Sequence, residues 1–402
     1  MKSDLEVEFN MKKSVCIVGG SAAGFYTAQF LAKKGYQVSL FEAEKEINPA
    51  ARTLIVTSHL RSLCKTLPEL SIVNKINRFE LVNQGISETV ELRTPDLIID
   101  RKPMIQQLAE AARESGVAVH CGHRFEQLRP QHKCAVFKKV QKGTVTIVEK
   151  PADILIGADG TNSRVAACGG WPQQPVVSLL QTVVLLPDDI DPGTSRVWFM
   201  PERTPYFFWL IPHSATHGVV GITAEDEKHG RLLLNRFLDE QRMIPGEFQI
   251  AWTPKYERWI PVQKNIDKMQ LYLVGDAAGH VKVTTVGGVV NGILGARGVA
   301  ESIVNNGKSS SLKILRWELE CHRLIRSMLN TFSHNEYQTI LSFLTPKTKS
   351  ALGKYSRDQT HRLLLSLLVN QPHMVAMVIK RLVRFSPVFS SIGHIPEGES
   401  VV

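Results

Sequence analysis

The stretch from Cys16 to Glu42, CIVGGSAAGFYTAQFLAKKGYQVSLFE, limits what this chain can fold into more than any other. Val15 to Val18 is apolar and rich in β-branched residues, which suits a strand buried in a parallel sheet, and Gly19 and Gly20 break it sharply. A helix follows, with Ala23, Ala28 and Leu31 on one face and Gly35 at its end. Val38 to Phe41 forms a second strand that closes on Glu42. A β-turn-α-β unit of this kind presents unpaired N–H groups and the positive end of a helix dipole to a pyrophosphate. An acid about 20 residues further on accepts from a ribose hydroxyl. Glu42 occupies that place. Ser21 stands where the commoner G-x-G-x-x-G has its second glycine; it is small enough for close backbone approach, and its hydroxyl can donate to a phosphate oxygen. Gly19, Gly20, Ser21, Ala23, Gly24 and Glu42 are therefore the first candidate nucleotide-binding residues.

The 402 residues, 43% of them hydrophobic, suffice for one large core or two domains. No apolar run near 20 residues is free of charge or proline, and the opening MKSDLEVEFN lacks the apolar core of a signal peptide, so the expected location is cytoplasmic. Cys16, Cys64, Cys121, Cys134, Cys168 and Cys321 show no C-x-x-C or Cys/His spacing, which predicts reduced thiols and no metal site. The net charge of +10 suits nucleic acid, an anionic membrane surface or acidic ligands, but no nucleic-acid motif accompanies it.

Two later motifs lengthen the expected cofactor. ADILIGADGTNSRVA carries an apolar strand into a turn at Asp159 and Gly160, and LYLVGDAAGHVKVTTVGGVVNGI carries Leu271 to Val274 into Gly275 and Asp276. One β-turn-α-β unit is enough for an NAD dehydrogenase. A chain that returns twice to the same sheet handles something longer. From Ser14 to Ile303 the sequence resembles the FAD-dependent two-domain reductases and monooxygenases of the p-hydroxybenzoate hydroxylase superfamily. The resemblance implies an α/β fold with a Rossmann-like FAD-binding domain, a β-rich substrate domain and C-terminal helices. It implies that Glu42 takes the adenosine ribose, Asp276 the ribityl chain, and that Asp159 and Gly160 lie near the pyrophosphate. Arg101, between a strand and an amphipathic helix, matches an FAD-contacting arginine, Phe125 offers a backbone contact to adenine, and Arg52 joins the cofactor set. Gly287, Gly288 and Val289 open a helix whose dipole faces the flavin pyrimidine.

The expected domains are residues 11–175 for the first part of the FAD-binding domain, with a meander whose hairpin turns at Lys142-Gly143, and 176–262 for a substrate-binding sheet with one helix from Lys228 to Met243. Residues 263–307 return to the FAD-binding domain, and 308–402 form a helical region.

PYFFWLIPHSATHGVVGI and GDAAGHVKVTTVGGVVNGI are similar to segments of geranylgeranyl reductases, through Tyr206, Trp209 and Pro212 in the first and Thr284, Gly287 and Gly288 in the second. Tyr206 and Trp209 are thus candidate substrate contacts on an apolar wall. Two departures stand out: the loop holding Arg52 and Thr53 lacks the cysteine that family often carries there, and Val283 replaces a proline. The implied activity is reduction of carbon–carbon double bonds in an isoprenoid chain or lipid. Hydroxylation of an aromatic or lipid substrate, and a redox-silent isomerase or lipid-binding role, stay open. So do the electron donor (NADPH or ferredoxin) and the oligomeric state. No residue is assigned as catalytic; Tyr206 and His280 are the available proton donors. HRLLLSLLVNQPHMVAMVIKRLVRF breaks at Asn370-Gln371-Pro372 into two segments too short to span a bilayer. With Lys380, Arg381 and Arg384 it reads equally as a peripheral anchor on an anionic membrane, at the inner face of the cell membrane, or as a lid.

Overall fold

The computed structural model describes residues 13–64, 69–141 and 144–370. Ser14–Val18 lies inside a six-stranded sheet, in the order Gln263–Ile266, Met269–Leu273, Ile154–Gly157, Ser14–Val18, Gln37–Phe41, Ala118–His120. All neighbours pair in parallel except the first two, which are antiparallel. The register sets Val18 beside Gly157, and Gly157 beside Leu273. The three motifs after these strands therefore leave the sheet at one edge, the carboxyl end where open α/β sheets take ligands. Between the first two strands of the motif runs the helix Ala22–Lys33, closed by Gly35 at φ +82°. Ile17, Leu31 and Leu40 are fully buried in the core that this unit shares with the helix Val289–Val304.

A second, eight-stranded sheet runs in the order Phe248–Pro254, Val176–Leu185, His217–Ala224, Phe208–Pro212, Thr194–Trp198, Ile72–Asn83, Ile86–Asp100, Thr53–Val56. It takes three strands from residues 53–100, inside the stretch that sequence had given wholly to the first domain. Ile72–Asn83 pairs in parallel with Thr194–Trp198, a partner more than a hundred residues away that local patterning does not reveal. On one face of this sheet the helix Glu227–Glu240 packs Leu234 and Phe237 against Phe208 and Leu210, with the Phe208 and Phe237 rings stacked at 4.3 Å. Trp209 and Ile211, the alternate residues of the same strand, point to the other face. The sheet curls until its two edge strands meet: Gln181 Nε2 donates to Thr53 O at 3.1 Å and to Gln249 Oε1 at 2.7 Å, and Gln249 Oε1 accepts from the Thr53 amide at 3.4 Å.

The meander is His123–Arg129, Cys134–Gln141 and Thr144–Pro151; its last hairpin pairs Gln141 with Thr144, and the turn residues 142 and 143 lie outside the described residues. Among the described residues, four helices follow the third motif strand, Met269–Leu273, and its helix Val289–Val304: Ser310–Leu329, His334–Ser342, Pro346–Lys354 and Thr360–Asn370. Lys380, Arg381 and Arg384, on which the membrane reading leans, also lie outside the described residues. Among the described residues no helix is long and apolar enough to cross a membrane.

Candidate active site

Between the parallel sheet and the curled sheet lies a cavity of about 1140 Å³. Gly19, Gly20, Ser21, Ala23, Glu42, Arg52, Arg101, Phe125, Asp159, Gly160, Asp276, Gly287, Gly288 and Val289 all line it. Gly24 does not. A Cβ there would lie 2.3 Å from the Gly19 carbonyl oxygen, so this glycine lets the helix pack on the turn instead of touching a ligand.

Glu42 is held beside the turn: Oε2 accepts from the Gly20 amide at 2.6 Å and Oε1 from the Glu44 amide at 2.9 Å. The Ser21 hydroxyl oxygen accepts from the Gly24 amide at 3.1 Å and so caps the helix Ala22–Lys33. The serine that departs from the glycine pattern is a helix cap, and its hydrogen stays available to a phosphate. Glu42→Ala is accordingly expected to weaken FAD binding by about tenfold or more, through loss of a charge-assisted bond, whereas Ser21→Gly costs only a few tenths of a kcal/mol of helix stability and leaves affinity within about twofold. Flavin fluorescence titration of the two variants checks this; equal losses would remove Glu42 from the ribose.

Asp276 sits with Arg52 and Arg101. Burial raises its carboxyl, and the two guanidinium groups pull it back down. Arg52 is pushed down to about 10 by burial and by the like charge of Arg101, with Asp276 opposing. Arg101 is lowered by burial, with Asp276 and Glu42 opposing, and its Nη1 donates to Ala50 O at 3.5 Å. Arg52 Nε and Thr285 Oγ1, both in residues of the cavity wall, are buried without a hydrogen-bond partner among the described residues. The helix Val289–Val304 begins at Gly288 with no side-chain cap, and a Cβ at Gly288 would come within 3.1 Å of Asp276 Oδ1. Bare helix amides, an unpartnered guanidinium donor, an unpartnered hydroxyl and a backbone kept close to a carboxylate fit a diphosphate-bridged flavin dinucleotide.

Asp159 stands in the wall, but the protein occupies its carboxylate: Ser163 Oγ donates to Oδ1 at 2.6 Å and the Val165 amide to Oδ2 at 3.1 Å, while burial raises it. It shapes the turn at Gly160. Phe125 packs edge-on against Phe137 at 5.7 Å.

The wall at the other end of the cavity is mostly apolar, with Phe79, Leu81, Val197, Trp209 and Ile211 on the sheet, Phe207 just before the strand Phe208–Pro212, and Leu329 and Leu352 from the C-terminal helices, while the Arg357 guanidinium lies 4.8 Å from the Phe79 ring centre. Tyr206, expected from the sequence to touch substrate, stands apart from this wall. It lies outside the lining, buried with Val177, Val281 and Val286, and the Arg326 guanidinium sits 5.0 Å from its ring centre. Side chains alternate along a strand, so Phe207, Trp209 and Ile211 share the cavity face and Tyr206 is out of phase with Trp209. That parity was the available signal for Phe207. His280 also lies outside the cavity: it is fully buried, stacks on Trp259 at 5.7 Å, and burial pushes it down to about 3. Sequence reasoning missed Lys282 and Asp358, a buried ion pair that also engages Thr57, and Arg357, bound to Asp96. Lys282, Arg357 and Asp96 line the cavity, and the interacting residues, Thr57, Asp96, Lys282 and Arg357 with Asp358, come from four distant stretches of chain.

Residues 12–331 match the family described as FAD binding domain. A digeranylgeranylglycerophospholipid reductase of Methanothermobacter thermautotrophicus is 26% identical over 92% of this chain and 99% of its own length. A geranylgeranyl diphosphate reductase of Rhodobacter capsulatus is also 26% identical, over 76% of this chain and 79% of its own. Among solved structures, a geranylgeranyl bacteriochlorophyll reductase-like protein from Thermoplasma acidophilum superposes with a TM-score of 0.73 at 17% identity, covering 92% of this chain and 98% of that one. The flavin-dependent halogenase CmlS gives 0.60 at 15%, covering 92% and 78%. The chain belongs to the FAD binding domain family, resembles the geranylgeranyl reductases within it, and is an FAD-dependent oxidoreductase.

Proposed function

We propose that the protein reduces carbon–carbon double bonds of an isoprenoid chain, carried on a lipid or a smaller anchor. The observation that carries this reading is the run Phe207, Trp209 and Ile211, continued by Phe79 and Leu81, which gives the substrate end of the cavity a broad, mostly apolar face, with the Arg357 guanidinium over Phe79 at its edge. Such a face holds a hydrocarbon that offers few hydrogen-bonding groups. The names of the similar reductases agree with it. FAD, when bound and reduced, supplies hydride chemistry. The chain's own part is to hold the cofactor through Glu42, Arg52, Arg101 and Asp276, to lay the alkene against it, and to keep water away. Docking on an anionic membrane, read from Lys380, Arg381 and Arg384, belongs to the same proposal because a water-insoluble chain must be drawn from a bilayer.

Anaerobic incubation of the reduced holoprotein with geranylgeranyl diphosphate tests it. Product masses are expected to rise by the mass of two hydrogens per bond reduced, without oxygen. Turnover that requires oxygen and inserts an oxygen atom would replace this reading with a hydroxylase.

A further inference from the structure

Thr284 stands in the cavity wall on the loop before Gly287, and its hydroxyl lies 2.7 Å from Nδ1 of His322. Nε2 of the same imidazole lies 3.0 Å from the Thr360 hydroxyl. The Thr360 amide donates at 2.8 Å to Oε2 of Glu318, and the other oxygen of Glu318 is hydrogen-bonded to Nδ1 of His361. Glu318 and His322 are four residues apart on the helix Ser310–Leu329, hence on one face. Thr360 and His361 begin the helix Thr360–Asn370, which packs against it. The interior members are nearly sealed, with Glu318, Thr360 and His322 at 2%, 3% and 4% exposure. The His361 side chain is 34% exposed. One end of this series therefore reaches solvent and the other reaches the cavity.

A water-excluding redox site has to import protons, since reduction of a bound flavin takes up protons as well as electrons. An imidazole bonded through both nitrogens to hydroxyl groups can accept a proton on one side and release one on the other. Each threonine hydroxyl can likewise donate and accept.

We propose that His361, Glu318, Thr360, His322 and Thr284 form a proton path from solvent to the flavin cavity. A proton taken up at His361 passes to Glu318, and the Thr360 hydroxyl, which lies 3.4 Å from the Arg357 carbonyl oxygen at rest, turns to the carboxyl group that holds its amide and takes the proton from it. Thr360 gives its own hydroxyl proton to His322 Nε2. His322 releases the Nδ1 proton to the Thr284 oxygen, and Thr284 delivers its hydrogen into the cavity. Each transfer breaks one N–H or O–H bond and forms another, no electrons move, and the sum is one proton carried from water to an acceptor in the cavity. Burial, with Lys282 close by, pushes His322 down to about 3, so the imidazole is neutral and passes protons by exchanging tautomers without storing charge. In this assignment Thr284 is the group that faces the acceptor, and His322 acts through it.

The path can be read without any substrate. FAD-loaded protein is photoreduced anaerobically in weak buffer with a pH-indicator dye, and flavin bleaching and proton uptake are followed together. In the wild type the two are expected to coincide. In His322→Phe, proton uptake is expected to lag bleaching by about tenfold or more, in line with the rate effects of positioned proton donors. His322→Gln can still bond both threonines but has no tautomer pair to exchange, and it is expected to lag as well. Wild-type kinetics in the Gln variant would make His322 a structural bridge and overturn the path, as would wild-type kinetics in the Phe variant. Thr360→Val removes one hydroxyl at nearly constant shape; it decides the matter if the His322 variants lose FAD, since an undelayed uptake there overturns the path and a lag supports it.

Discussion

Gly19→Ala is expected to yield protein that retains little or no FAD and melts well below the wild type. Gly19 has φ +104°, a region that L side chains rarely adopt. A Cβ there would lie 2.5 Å from the carbonyl oxygen of Ala158 and 2.9 Å from Cα of Asp159. Both obstacles are backbone, and Ala158 follows directly on the strand paired with Ser14–Val18, so neither can yield without parting the two strands at the cofactor edge. The φ penalty is about 1–2 kcal/mol, and separation of the strands adds to it, for a total of about 3 kcal/mol or more. Gly116 is the control. It has φ +87° but open space where its Cβ would sit, so Gly116→Ala should cost about 1 kcal/mol and leave FAD content unchanged. Flavin absorbance after heat release gives the FAD stoichiometry, and a thermal melt gives the stability. Equal FAD contents in the two variants would show that the turn does not grip the nucleotide.

Stability should also fall between pH 6.5 and 5, driven by two buried imidazoles. His280 and His322 are both lowered by burial to about 3, from an ordinary 6.5. Their folded values lie below their unfolded ones, so as pH drops through 6.5 the unfolded chain binds a proton at each while the folded chain stays neutral until about pH 3. Each then removes about 1.4 kcal/mol per pH unit, which makes about 4 kcal/mol for the pair by pH 5. Asp358 is held down by Lys282 against its burial, and its contribution persists above the ordinary carboxylate range and is lost at more acid pH. Asp276, Asp159 and Asp96 are raised by burial and act in the opposite sense. The histidine share is therefore read as a difference: urea midpoints at pH 7.5, 6 and 5 should fall less steeply in His280→Leu than in the wild type, by close to one proton. Identical slopes would mean that His280 is not neutral and sealed in the fold.

The parts that were legible in the sequence are those encoded within one short stretch. Val15 to Glu42 carries its strand, turn, helix and acid in contiguous residues, and the elements Ser14–Val18, Ala22–Lys33 and Gln37–Phe41 follow its pattern closely. The Asp159 and Asp276 turns were placed on the same edge because each follows an apolar run that only a buried parallel strand explains. What depends on partners far along the chain was not legible. Ile72–Asn83 mixes lysine, arginine and glutamate among its apolar residues because it is half-buried and irregularly paired, with two register shifts against Ile86–Asp100. Tyr206 was chosen for its ring, although the phase of the strand decides which ring meets the cavity. The capture of Lys282 by Asp358, and of His322 by Thr284 and Thr360, joins residues between 38 and 76 positions apart, and no local period predicts such pairs.

The alternation within Phe208–Pro212 has a practical consequence. Phe208 and Leu210 anchor the helix behind the sheet, while Phe207, Trp209 and Ile211 turn to the chamber in front, where Trp209 and Ile211 also pack with Ile76, Ile98 and Val219. The two faces of this short segment thus answer to different neighbours, a helix on one side and the chamber with its own small core on the other. A library that varies Phe207 freely and keeps Trp209 and Ile211 to large apolar residues should, on the proposed function, reshape what the chamber admits while the sheet stays packed.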